Sequence, residues 1–324
     1  MLESHQTCLE MQKIIDPIDR ELIIRELTPD RLLRKSNKGF NEVYVVDAFN
    51  APNIMKEIGR LREIAFRDAG GGTGLDCDID EFDTMDTPCR QLIVWDPKDK
   101  EIVGGYRFIL GEDIKIENKI PKIATSHMFG FSEKFLTELL PNTLELGRSF
   151  VSVGYQSTRS NPKAIYVLDN LWDGLGALTV IYPQIKYLFG KVTMYPAFGE
   201  RGRDILLGFL HKHFADSEKL VWPLEELKSH AKEPEIQNIF TGKNFKEDYK
   251  ILNQTIRALG QNIPPLVNAY MSLSPTMKVF GTAVNYEFGD VEETGIFFKI
   301  SEIFEEKKRR HIHSFMESEY KFIK

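Results

Sequence analysis

Apolar positions recur along this chain in two periods, and the alternation between them sketches a mixed α/β core. Residues 41–48 (NEVYVVDA) are rich in β-branched and aromatic side chains and predict a strand. The chain then passes through Asn50, Ala51 and Pro52 into a stretch where Ile54, Ile58, Leu61 and Ala65 fall on one helical stripe. After a glycine-rich acidic segment, residues 70–86, the runs 91–95 and 102–110 flank the turn DPKDK and read as a β-hairpin. Helical material is expected around residues 132–140, a strand over 144–153, a helix over 164–179, the end of a strand at 192–195 and an amphipathic helix over 202–214. Residues 216–260 are polar with no strand signal, so they read as a helical insertion. A short helix at 264–273 and paired strands at 278–288 and 295–300 complete the pattern. The order predicts one central, mostly antiparallel sheet flanked by helices. An N-terminal extension (1–40) is expected to pack on the main domain (41–305), and the charged tail (306–324) reads as a solvated helix end.

Composition narrows the function classes. A net charge of −6 argues against a broad nucleic-acid surface. The first residues carry charges throughout, which fits neither a signal peptide nor a spanning helix, and no later apolar run reads as long enough to cross a bilayer. Cys8, Cys77 and Cys89 have no CxxC spacing, so a disulfide framework is not expected and a reducing, cytoplasmic setting is.

Several apparent motifs fail on their chemistry. Asp76, Asp78 and Asp80 imitate the opening of a calcium loop, but Glu81 and Thr87 occupy its glycine and bidentate-glutamate places. Gly70 to Gly74 lacks the GK[ST] ending of a P-loop and reads as a mobile hinge. His211 with His213, and His311 with His313, are two apart and do not face each other on a helix. No metal site is expected.

The informative segment is ELGRSFV, residues 145–151. Glu145 and Arg148 stand inside an apolar strand, where a charge is costly without a purpose or a partner. Two readings stand open: a functional acid, or an ion pair that only holds the sheet. An odd separation sends the two side chains to opposite faces of a regular strand. A bulge, with Gly147 the plausible position, would re-aim one of them.

Together with ELGRSFV, the runs EIGRLREIAF, DIDEFD, IVGGYRFIL, IPPLVNAY and VFGTAVNYEF resemble the GNAT-superfamily branch of ornithine-lipid and glycine-lipid N-acyltransferases, often labelled hemolysin-like and related to acyl-homoserine-lactone synthases. The likeness runs from about Glu42 to Ile300, and DNLWDGLGALTV and FGKVTMYP are similar to the glycine-acylating members from Bacteroidetes. It implies a cytoplasmic enzyme, peripheral at the inner membrane at most. That enzyme would move a long, 3-hydroxylated acyl chain from the phosphopantetheine of acyl carrier protein, or from coenzyme A, to a small amino acid, glycine first, for aminolipid synthesis. No tightly bound cofactor is implied. Arg62, Phe66, Asp80, Asp83, Arg107 and Glu145 would line the acyl-donor and amine clefts, with Ser149 beside them, and Arg148 would fix the acidic loop. Glu145 would help to deprotonate the amine, commonly through water. Tyr195 stands where many such enzymes place an acid for the leaving thiolate, although a tyrosine at a strand end also serves packing.

Residues 155–160 are rich in donors before a helix, a setting that binds phosphate. Gln156 and Arg159 are the candidate ligands there; Lys163 and Arg159 meet a phosphate or are plain solvated charges. The segment departs from the usual GNAT phosphate loop, which suits the single phosphate of a carrier-bound pantetheine better than the pyrophosphate of free coenzyme A. The competing readings are a signal synthase using S-adenosylmethionine and a non-catalytic acyl-binding or membrane-associated protein.

Overall fold

The sheet is covered on both faces, so its central strands are near-continuous runs of buried side chains. The computed structural model describes residues 11–318 apart from 158 and 160. Cys8, Thr158, Ser160, the start of the N-terminal extension and the end of the charged tail lie outside the described residues. The strands are β1 (Leu32–Lys35), β2 (Glu42–Val46), β3 (Arg90–Asp96), β4 (Glu101–Leu110), β5 (Ile116–Glu117), β6 (Ile120–Pro121), β7 (Phe129–Phe131), β8 (Thr143–Val151), β9 (Tyr187–Met194), β10 (Val221–Pro223), β11 (Lys278–Asn285) and β12 (Val291–Lys299). Eight of them form one sheet in the order β1-β2-β3-β4-β8-β9-β12-β11, while β5 with β6 and β7 with β10 make two small ribbons. Every contact in the large sheet is antiparallel except β8 with β9.

The α-helices among the described residues are α1 (Arg20–Glu26), α2 (Pro52–Ala69), α3 (Glu81–Thr84), α4 (Ala164–Ile181), α5 (Glu200–Phe214), α6 (Pro234–Gln237), α7 (Phe245–Ala258), α8 (Pro265–Met271), α9 (Glu305–Lys308) and α10 (Ser314–Ser318). On β3, Leu92 and Val94 join a core shared with α4, α5, α7 and α8, whereas Ile93 and Trp95 point to the other face, beneath α2. Pro52 starts α2, and Gly70 ends it with φ +93, a left-handed cap in which the Gly71 N–H donates to the Phe66 carbonyl at 2.8 Å. The turn follows Phe66, whose ring packs edge-on against Phe288 with centroids 5.0 Å apart.

Four expectations change. The N-terminal extension supplies an edge strand, because β1 pairs with β2. Residues 216–260 include β10, whose three residues are too few to give a periodic signal. The glycine-rich segment is anchored: the buried Glu63 carboxylate accepts from the Thr73 hydroxyl at 2.7 Å and the Gly74 N–H at 2.8 Å. The tail packs instead of being solvated. His311 Nδ1 lies 2.8 Å from Asp173 of α4, and Phe315 is fully buried under the Arg34 guanidinium. Gly176 makes this approach possible, since a Cβ there would stand 2.2 Å from the His311 carbonyl oxygen.

By length and hydropathy alone, α4 is long and apolar enough to cross a membrane, contrary to the sequence reading; half of it is buried within the fold. Cys77 and Cys89 are free thiols.

Candidate active site

The site arises from one irregularity in β8. Its ladder with β4 is regular from Leu144↔Leu110 to Gly147↔Arg107, then resumes at Phe150↔Gly105. Arg148 and Ser149 therefore oppose Tyr106 alone, and Arg148 takes φ +46 in the left-handed region. The bulge falls one residue beyond Gly147 and resolves the parity conflict between Glu145 and Arg148, since both now line one opening. On its other edge β8 pairs with β9 only from Thr143↔Tyr187 to Leu146↔Gly190. Beyond that point the strands separate.

The gap is a cavity of about 270 Å³ that reaches both faces of the sheet. One leg is apolar, with Leu146, Trp172, Leu188, Leu266, Tyr270 and Phe298 around it. The other leg, on the α2 side, carries the charged groups Arg107, Glu145, Arg148, Lys191 and Glu293, with Phe66, Phe288 and Tyr195 beside them.

A network of arginines and aspartates fixes the charged leg from below. Arg107 reaches Asp80 at 2.6 Å and Asp83 at 3.2 Å, and Arg148 reaches Asp78 at 3.0 Å and Asp80 at 3.4 Å. Arg62 pairs with Asp83 at 3.3 Å and donates to the Gln91 side chain. Asp80 caps α3 and Asp83 returns a bond to the Asp80 N–H, so the capping box presents both carboxylates to the arginines. Burial alone would raise the Asp80 carboxyl, but Arg107 and Arg148 outweigh it and hold the pKa at about 2. Arg148 also lies over the Phe288 ring, 4.5 Å from its centroid.

Glu145 stands apart from this network. It is 4% exposed, accepts a hydrogen bond from Thr125 Oγ1 at 2.9 Å, and has no basic group within ion-pair distance among the described residues. Burial pushes its pKa above the ordinary carboxylate range, against the opposing pull of Arg107, the Thr125 hydroxyl and Lys191. A carboxyl in that state is suited to accept a proton near neutral pH. With Glu145 as the proton acceptor, which must be ionised to accept, activity should fall as pH drops through its raised pKa. Thr125→Val removes a hydrogen bond that favours the ionised form, so the acid limb of the kcat/KM profile is expected to move to higher pH.

Of the residues anticipated from the sequence, Phe66, Arg107, Glu145, Arg148, Ser149 and Tyr195 line the cavity. Arg62 and Asp83 do not; both are wholly buried beneath it and act through Arg107 and Gln91. Asp80 likewise holds Arg107 and Arg148 in place from outside the lining. Gln156 and Arg159 are exposed and outside it: the Gln156 amide donates to the Val151 carbonyl at 2.9 Å, and the Arg159 N–H donates to Ser157 Oγ at 3.3 Å. Lys163 is no solvated charge either, since it bridges Asp96 and Asp99 at 2.5 and 2.6 Å. Sequence reasoning missed Thr125, Trp172, Lys191, Tyr270 and Glu293. Among the described residues no cluster of His, Cys, Asp and Glu is placed to hold a metal ion.

Comparison with known proteins fits this geometry. Residues 61–163, which span the acidic loop, β3, β4 and the bulged β8, match the acetyltransferase (GNAT) domain family. A glycine N(alpha)-acyltransferase from Bacteroides thetaiotaomicron is 61% identical over 95% of this chain and 92% of its own length. Another, from Phocaeicola vulgatus, is 58% identical over 94% of both chains. The solved structure of a CoA-dependent acyl-homoserine lactone synthase, BjaI, with SAM and isopentyl-CoA, aligns over 50% of this chain and 71% of that one, at 13% identity and a TM-score of 0.27. With identity near 60% along almost the whole length, this chain belongs to the glycine N(alpha)-acyltransferase family and is an acyltransferase built on the GNAT fold.

Proposed function

We propose that this protein transfers a long, 3-hydroxylated acyl chain from the phosphopantetheine thioester of acyl carrier protein to the amine of glycine, in the cytoplasm, as a step of aminolipid synthesis. The observation that carries this reading is a buried carboxyl, Glu145, in a cavity that crosses the sheet where β8 and β9 part. The apolar leg offers room for a chain, and the charged leg offers a proton acceptor. The names of the two relatives support glycine as acceptor.

In this mechanism Glu145 takes a proton from the glycine ammonium, directly or through water, and the free amine attacks the thioester carbonyl. The oxyanion then forms beside backbone beyond the Leu146↔Gly190 pair, where β8 no longer bonds to β9. Collapse of the intermediate breaks the carbon–sulfur bond, and the second proton lost by the attacking nitrogen passes through solvent to restore the Tyr195 hydroxyl. The Tyr195 hydroxyl supplies the proton that the thiolate needs; burial first and the neighbouring Glu293 second push its pKa up to about 12, so it holds that proton at neutral pH. Tyr195→Phe is expected to lower kcat about 10²-fold with little change in KM for glycine, as steady-state rates would register.

The direct test is incubation of the purified protein with 3-hydroxyacyl carrier protein, or the matching coenzyme A thioester, and a panel of amino acids, with products read by mass spectrometry. N-acylglycine formed preferentially from the carrier-bound donor is the expected result. Absence of any N-acyl product, under conditions where a relative gives one, would remove the reading. Peripheral contact with the inner membrane would be read separately, by sedimentation with anionic vesicles.

A further inference from the structure

Two charged side chains in the cavity stand outside the arginine–aspartate network and neither give nor take a proton in the mechanism above, although Lys191 acts on the Glu145 carboxyl and Glu293 on the Tyr195 hydroxyl through their charge. Lys191 follows the last β8–β9 pair on β9, and Glu293 lies on β12, whose register places it opposite Thr193. Alternation along β9 puts Phe189, Lys191 and Thr193 on one face, and Phe189 is the register partner of Glu145. Lys191 therefore projects on the same side of the sheet as Glu145, one alternation further into the gap. Its Nζ stands 2.6 Å from Glu293 Oε2, and the two side chains are only 10% and 6% exposed.

This pair is close but poorly satisfied. Among the described residues Glu293 Oε2 makes no well-angled hydrogen bond despite being buried, and Oε1 receives only a long one, 3.4 Å, from Thr193 Oγ1. Buried charges ordinarily fill their hydrogen-bonding capacity, and this carboxylate, held by the Lys191 ammonium at 2.6 Å and one long bond from Thr193, retains acceptor capacity beside the cavity that it lines with Lys191. An ammonium and a carboxylate side by side complement a molecule that carries one of each. Such a ligand adds no net charge to the interior, whereas a simple amine would leave Lys191 facing nothing of opposite sign but Glu293.

We infer that Lys191 and Glu293 form the subsite for a zwitterionic α-amino acid, with the ligand's α-carboxylate on Lys191 and its ammonium passing between Glu293 and Glu145. This rests on the amino-acid acyltransferase reading above and adds to it the residues that select the acceptor. The subsite recognises the acceptor by its carboxylate as well as by its amine, so glycine is taken and a decarboxylated or amidated counterpart is refused. Lys191 and Glu293 are positioning residues here, and Glu145 remains the proton acceptor.

The experiment compares glycine, glycinamide and methylamine as acceptors, with 3-hydroxyacyl carrier protein as donor, for the unaltered protein, Lys191→Met and Lys191→Arg. The unaltered protein is expected to prefer glycine to glycinamide at least 100-fold in kcat/KM. Lys191→Met should raise KM for glycine at least tenfold, with a smaller change in kcat, and should erase most of that preference; Lys191→Arg should restore it. A purely structural ion pair would lower all acceptors equally and leave the ratio untouched, which would overturn the inference. Should Lys191→Met fail to fold, the unaltered protein decides alone, because equal use of glycine and glycinamide overturns the subsite too. Failure of the unaltered protein to acylate any amine sinks the acyltransfer reading itself, an outcome distinct from acylation without discrimination.

Discussion

Glu145→Gln is expected to lower kcat by about 10²–10⁴-fold while the protein melts at the same temperature or higher. The two side chains have the same shape, and Thr125 Oγ1, now 2.9 Å from the carboxylate, can still donate to the amide oxygen. What disappears is the ability to accept the ammonium proton. Stability should move the other way. Burial raises the Glu145 pKa in the folded state above its unfolded value, so ionisation at neutral pH opposes folding. That penalty is absent below the unfolded carboxyl's pKa, where the group is protonated in both states, and it appears as pH rises through and above that value. The glutamine variant should therefore gain on the native protein near pH 7 and lose that advantage near pH 4. Melting curves at the two pH values, beside steady-state acyl transfer, check both halves. A variant that retains full turnover would remove Glu145 from the chemistry.

The second large effect is structural and asymmetric. Asp83→Ala is expected to destabilise the fold by about 3–5 kcal/mol, because it leaves Arg62 a buried cation with no acid at ion-pair distance among the described residues and only the more remote pull of Asp78. Arg62 is already compromised: burial pushes its pKa below the ordinary value against the pull of Asp83, and its Nε has no hydrogen-bond partner among the described residues. Arg62→Met should cost clearly less, since Asp83 would keep Arg107 at 3.2 Å and the Gln91 amide at 2.8 Å. Combining Arg62→Met with Asp83→Ala should recover part of the loss, because the stranded charge is gone. Urea unfolding of the three variants reads the order directly. Equal losses from the two single substitutions would show that the network acts only as packing.

Much of this arrangement was legible before any coordinates, and the reason is local. Strand periodicity located β3, β4, β8 and β9 to within a few residues, and the odd spacing of Glu145 and Arg148 demanded an irregular strand. The bulge nevertheless fell on Arg148 and Ser149 and not on the glycine, because the left-handed backbone at Arg148 is held by two aspartates and an aromatic ring. Lys191 and Glu293 were invisible for a different reason. Each reads alone as an ordinary polar position on a half-buried strand, and only the β9–β12 register joins them across 102 positions of sequence (293 less 191). Thr125 comes from a single 3₁₀ turn with no periodic signal. The tail was misread because its basic residues dominate the composition, while His311 and Phe315, four apart, face α4.

The short parallel ladder between β8 and β9 has a mechanical consequence. Among the described residues its four register pairs are the sole strand pairing between a five-stranded arm, β1 to β4 with β8, and a three-stranded arm, β9, β12 and β11. The sheet is thus a clothes-peg whose spring is the ladder, with the mouth where the ladder stops. Amide protons of residues 143–146 and 187–190 should exchange more slowly once a thioester analogue sits in the jaws, including those of Thr143, Leu144 and Tyr187, which do not line the cavity.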